Sequence, residues 1–86
     1  MKINIKQEFI IADIKETKNE KYKILILGSL DFSGTMSFLV EKEMIEKIKE
    51  RDLVEVEYFI QVSNEKIDKE YKEIIKNKRL VKISTK

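Results

Sequence analysis

Two segments set the fold: Tyr22-Lys23-Ile24-Leu25-Ile26-Leu27-Gly28-Ser29-Leu30 and, after Asp31-Phe32-Ser33-Gly34, Thr35-Met36-Ser37-Phe38-Leu39-Val40-Glu41. In an extended chain Tyr22, Ile24 and Ile26 share one face, and Leu25 and Leu27 share the other. Both faces are apolar in the middle, as in a strand buried on both sides or packed across a barrel. Asp31 and Gly34 stand at the first and fourth positions of a type I turn, since Asp can bond its own backbone and Gly accepts a positive φ. The two segments are therefore predicted to form a hairpin, Tyr22–Leu30 with Thr35–Glu41.

Toward the N-terminus, Ile3 and Ile5 alternate with polar residues, and Ile10, Ala12 and Ile14 fall on one face of a strand over 7–16. A short extra strand can precede it. Residues 16–21 are polar and read as a loop. Toward the C-terminus the period changes. Met44, Ile45 and Ile48 lie on one side of a charged segment, which predicts a helix over 42–51 with a favourable Glu43–Lys47 pair. Val54, Val56, Tyr58, Ile60 and Val62 then alternate as a fourth strand. Ile67, Tyr71, Ile74 and Ile75 form a narrow helical stripe over 65–76, with Ser63 or Asn64 as N-cap. Leu80–Ile83 closes as a fifth strand.

The chain has 86 residues, 42% apolar and 40% charged, which suits one small domain, 1–86, with a nearly all-charged surface. Lys plus Arg number 18 against 16 Asp plus Glu, a net charge of +2 that excludes a strongly basic DNA-compacting protein. There is no Cys and no His. Disulfides, thiolate nucleophiles, zinc-thiolate sites and the usual near-neutral base are excluded, so an enzyme is not expected and no cofactor is implied. Gly28 and Gly34 are the only glycines, so no phosphate-cradling Gly-rich loop can be written. The apolar run Ile24–Leu27 falls far short of the ~20 residues of a membrane span. Met1–Lys6 lacks the apolar core of a signal peptide. The expectation is a cytoplasmic protein, and the Lys- and Ile-rich, Pro-free composition suits an AT-rich bacterium, its phages or its plasmids.

The predicted order β-β-β-α-β-α-β gives a mainly β protein with helices. It resembles the OB-fold, a small five-stranded Greek-key barrel with a helix between its third and fourth strands. Residues 51–59, Arg-Asp-Leu-Val-Glu-Val-Glu-Tyr-Phe, look like the start of the fourth strand of such proteins, with Arg51-Asp52 where a Gly is usual. Gly28 would suit a barrel corner or bulge. The competing architectures are an SH3-like barrel and an open α+β sheet.

The resemblance implies binding of single-stranded nucleic acid, DNA before RNA, without sequence preference. Proteins of this kind in phages and mobile elements act as accessories to replication or transfer. Bases would stack on aromatic rings across strands two and three, while loops one–two and four–five hold the backbone. Lys18, Lys21, Tyr22 and Lys23 flank the first of these loops. Lys76, Lys78 and Arg79 follow the second, and Lys82 extends that basic tail, which carries no acid from residue 74 to 86. Phe32 at the hairpin tip, Phe38, and Phe59, which is out of phase with the inward residues of strand four, are the candidate rings. Oligomerisation would raise affinity by multivalency. The alternative is a protein-interaction module or phage-type inhibitor. Phe32 and Phe59 would then be its anchors, and the acidic segment 41–57 would face a basic partner.

Overall fold

A computed structural model describes residues 1–86. Five antiparallel strands, β1 (Lys2–Glu16), β2 (Tyr22–Ser29), β3 (Thr35–Glu41), β4 (Leu53–Ile67) and β5 (Glu70–Thr85), lie in the order β3-β2-β1-β4-β5. Three strands meander and the fourth returns beside the first, a Greek-key connection. β3 comes back alongside β5 without a hydrogen-bonded ladder, so the sheet curls into a nearly closed barrel.

The curl depends on β1, which serves both halves of the sheet. Its first part pairs with β4, from Lys2↔Gln61 to Ile10↔Leu53, and its second with β2, from Phe9↔Ser29 to Glu16↔Lys23. Between Ile11 and Asp13 the register slips at Ala12. Such a bulge bends the strand and sharpens its twist. It also changes which alternate residues face inward. Phe9 and Ile11 are buried and Ile14 packs on the core beyond the bulge, while Ile10 stays on the outside. The expected common face of Ile10, Ala12 and Ile14 is thereby corrected, and residues 2–16 form one strand rather than two. The corner expected at Gly28 is at Ala12 instead. Gly28 pairs regularly with Ile10 and Thr35 and has no positive φ.

The core joins Phe9 and Ile11 of β1, Leu25 and Leu27 of β2, and Phe38 and Val40 of β3 to Val54, Val56 and Tyr58 of β4 and Leu80 of β5. Phe38 meets Tyr58 edge-on with ring centroids 5.4 Å apart, and Phe9 lies 6.3 Å from the same ring. Burying each aliphatic side chain contributes ~1.5–3 kcal/mol. On β2 the expectation of two buried faces is met on one side only. Leu25 and Leu27 are sealed, whereas Ile24 and Ile26 are half-exposed on the outer face.

Neither predicted helix forms. Residues 42–51 contain only a short 3-10 turn, Lys42–Ile45, without a side-chain N-cap. Its one buried side chain, Ile45, joins the core and Ile48 leans on it, so the segment packs two of the three apolar residues that periodicity assigned to a helix without forming one, and Met44 stays exposed. Arg51, at φ 73, ends the segment. Residues 65–76 are strand. β4 and β5 run on as a hairpin to the pairs Lys66↔Tyr71 and Ile67↔Glu70, closed by Asp68 and Lys69 at φ 50 and 71. Two successive positive φ values define a two-residue turn whose twist matches that of the strands. The spacing of Tyr71 and Ile75 fits this too, because a step of four is a whole number of periods of two, whereas Ile67 lies across the turn on β4. β-branched Ile favours strand, and no Ala or Leu in 65–76 favours helix. Past Val62, which pairs with Met1, this hairpin projects as a two-stranded arm.

Candidate functional site

Pairing across β1, β4 and β5 sets the outer face of this side of the barrel in rows. Lys2 lies beside Gln61 and Asn77, Asn4 beside Phe59 and Arg79, and Lys6 beside Glu57 and Lys82. The Lys2 ammonium sits 4.2 Å from the centroid of the Phe59 ring. Lys2, Lys6, Arg79 and Lys82 thus surround one half-exposed ring with Glu57 as the acid among them. Toward the far end of the same face the charges pair off. Lys6 reaches Glu55 at 3.2 Å, and Lys86 reaches Glu8 at 2.9 Å and Glu55 at 3.4 Å. Lys6 and Lys86 hold the Glu55 carboxyl below the usual carboxylate range, and Glu8 with Glu55 raises the Lys86 ammonium. The unbalanced positive charge therefore lies at the arm end, around Phe59.

Of the residues singled out from the sequence, Phe59, Arg79 and Lys82 come together here. Lys2 and Lys6 complete the group, and the sequence reading missed them. The alternation Lys2-Ile3-Asn4-Ile5-Lys6 was the signal, because a strand that buries Ile5 must turn Lys2 and Lys6 to the other face.

The remaining candidates lie elsewhere. Phe38 is buried in the core, 3% exposed, and offers no ring face to a base. Lys78 points to the inner side and stands 5.2 Å from the Phe38 ring, over the barrel mouth. Lys76, at the arm's bulge, pairs with Glu65. Lys23 pairs with Glu16 at 3.0 Å. Lys21 and Tyr22 line an open cleft of about 640 Å³ with Glu20, Glu41, Glu43 and Glu46 among its walls, a net acidic setting that repels phosphate. Lys18 is exposed in the same loop, at the opposite end of β1 from Asn4. The outer face of β2 and β3 carries Ile24, Ile26, Ser37 and Leu39, and its one ring, Tyr22, stands beside Glu41 in that acidic cleft.

Phe32, 86% exposed, occupies the β2–β3 turn alone. The Ser29 hydroxyl organises that turn. It donates to Asp31 Oδ1 at 2.8 Å and accepts from the amides of Ser33 at 3.0 Å and Gly34 at 3.2 Å. Asp31 bonds its own backbone as expected, accepting from the Ser33 amide at 3.0 Å. The positive φ expected at Gly34 falls on Phe32 instead, at 59. Hydrogen bonds from Ser33 and Ser29 lower the Asp31 carboxyl to about 2.

No group of His, Cys, Asp or Glu side chains has the geometry of a metal site, and no helix is long and apolar enough to cross a membrane. No protein-family model, curated protein or solved structure matches the chain.

Proposed function

We propose that this chain is an OB-like barrel that binds single-stranded nucleic acid without sequence preference, as an accessory protein of a phage or other mobile element would. The Greek-key order of a nearly closed five-stranded barrel supports the architecture. The observation that carries the binding reading is Phe59, with Lys2 over its ring and Arg79 beside it.

The binding surface in this reading is the outer face of β1, β4 and β5. One base stacks on Phe59, contributing ~1–3 kcal/mol less the cost of moving the Lys2 ammonium aside. Lys2, Arg79 and Lys82 take the phosphates on either side, and Lys6 adds a fourth contact when it leaves Glu55. With three or four phosphate contacts, log K should fall against log salt with a slope of about −2 to −3 for a single strand. The test is a fluorescence anisotropy titration with a labelled single strand of ~20 nucleotides at low salt. The Arg79→Glu/Lys82→Glu double variant should weaken binding at least tenfold. Absence of binding by the unaltered chain would end the proposal.

A second reading, a protein-interaction module, is favoured by Phe32, whose exposure at a turn tip has no packing role. A partner captured through Phe32 would be lost on Phe32→Ala and indifferent to the Arg79→Glu/Lys82→Glu change.

A further inference from the structure

The outer face of β1, β2 and β3 is built unlike the rest of the surface. Lys15, Ile24 and Leu39 form one cross-strand row, and Asp13, Ile26 and Ser37 form the next. Below them Ile10 stands beside Leu53 on one side and Gly28 on the other. Leu39 is 67% exposed and Leu53 40%. In a chain that is 40% charged, four adjacent aliphatic side chains left partly in water on three strands call for a cover.

We propose that the cover is a second copy of this chain, docked face to face by a two-fold axis that crosses the strands between those two rows. Such an axis keeps each strand over its own counterpart and exchanges the rows. Ile24 then meets Ile26 of the partner subunit, Leu39 packs at Ser37 of the partner subunit, and Lys15 meets Asp13 of the partner subunit, in the aligned packing of two sheets ~10 Å apart. The charge pattern decides for self-association. The acid and the base lie on the same strand in adjacent rows, so the two-fold pairs them in two symmetric contacts and sets no like charges opposite each other. A single-stranded nucleic acid does not fit this face, which offers no cluster of cations and whose one ring, Tyr22, stands at its rim beside Glu41.

Three strands by two to three rows amount to on the order of 200–300 Å² per copy, below the ~800 Å² of a standard interface. The dimer is therefore weak and reversible. It does not rest on the nucleic-acid reading, since the Phe59 face uses β4, β5 and the first half of β1, whereas the docked rows use the second half of β1 with β2 and β3, so the Phe59 face stays open in the dimer.

The experiment is sedimentation equilibrium of the full chain, without nucleic acid, from about 10 μM to about 1 mM, a range suited to a weak dimer. The mass should rise with concentration from 10.3 kDa toward twice that value. Leu39→Lys alters a side chain that is already exposed and leaves the core intact. It should hold the chain monomeric throughout. Lys15→Asp sets two carboxylates against each other at each symmetric contact and should weaken association at least tenfold, whereas Lys47→Asp, the same charge change outside the patch, should not. A chain that stays monomeric to the top of the range, or a dimer indifferent to Leu39→Lys, would overturn the proposal.

Discussion

The Lys2 ammonium lies 4.2 Å from the centre of the Phe59 ring, joining the first residue of β1 to the middle of β4. A cation over an exposed ring contributes ~0.5–1 kcal/mol, so the contact is weak enough for a base to displace. Phe59→Ala should therefore reduce affinity for a single strand by roughly five- to tenfold, the lower part of the stacking range. Lys2→Ala removes a phosphate contact but frees the ring, and should cost less than threefold. Anisotropy titrations of both variants at one salt concentration check the ranking.

Arg51 donates its amide to the Ile11 carbonyl at 2.8 Å while standing at φ 73. A left-handed conformation costs a non-glycine residue ~1–2 kcal/mol, partly offset in a glycine by its greater loss of chain entropy. Arg51→Gly should stabilise the fold by about 1 kcal/mol, a rise in Tm of about 4–8 °C for a domain of this size. Thermal unfolding followed by circular dichroism measures it, with Lys49→Gly, at a position without positive φ, as the comparison.

Asp31 carries the acid sensitivity of the β2–β3 turn. Its carboxyl is lowered from an ordinary 3.8 to about 2 in the folded chain by Ser33 and Ser29. The folded value lies below the unfolded one, so this contribution to stability is complete above about pH 4 and is lost as the pH falls toward 2. The group is fully exposed, so the effect is small. It should appear as an Asp31 titration displaced to low pH by NMR, and Ser29→Ala should move that titration back toward the ordinary value.

The arm beyond Val62 has free edges and little beneath it. Tyr71 is 77% exposed and Ile75 60%. A two-stranded ribbon is marginal by itself in water, and elements with few buried contacts open locally. Amides of Asn64, Lys66 and Lys72 should exchange with solvent at least a hundredfold faster than those of Leu25 and Val56. Replacing Asp68-Lys69 by Asn-Gly, the pair best suited to this turn, should slow the arm's exchange with little change in global Tm.

Where alternation was strict and one face was buried, the strands could be read from residues alone. The hairpin Tyr22–Glu41 and the inward set Val54, Val56, Tyr58, Ile60 and Val62 are as expected, and so is the outward position of Phe59. Two physical ambiguities hid the rest. A step of four residues between Tyr71 and Ile75 satisfies both helical and extended periods, the step from Ile67 to Tyr71 crosses a turn, and only the pairing of β4 with β5 reveals it. A bulge carries no compositional mark when the extra residue is Ala12, so Ile10, Ala12 and Ile14 read as one face although the bulge leaves Ile10 outside and turns Ile14 to the core. The binding candidates divided for the same reason. Phe59, Arg79 and Lys82 share a face through register, whereas Phe38 is inward and Tyr22 shares its cleft with glutamates, relations that depend on partners distant in sequence.

The most direct test of where a single strand is held is a set of amide shift changes measured by NMR as a short oligonucleotide is added to the labelled chain. The largest changes should fall on Lys2, Asn4, Phe59, Arg79 and Lys82, with Ile24, Ile26 and Leu39 unmoved. Changes centred on β2 and β3, or none at all at low salt, would contradict the placement of the site.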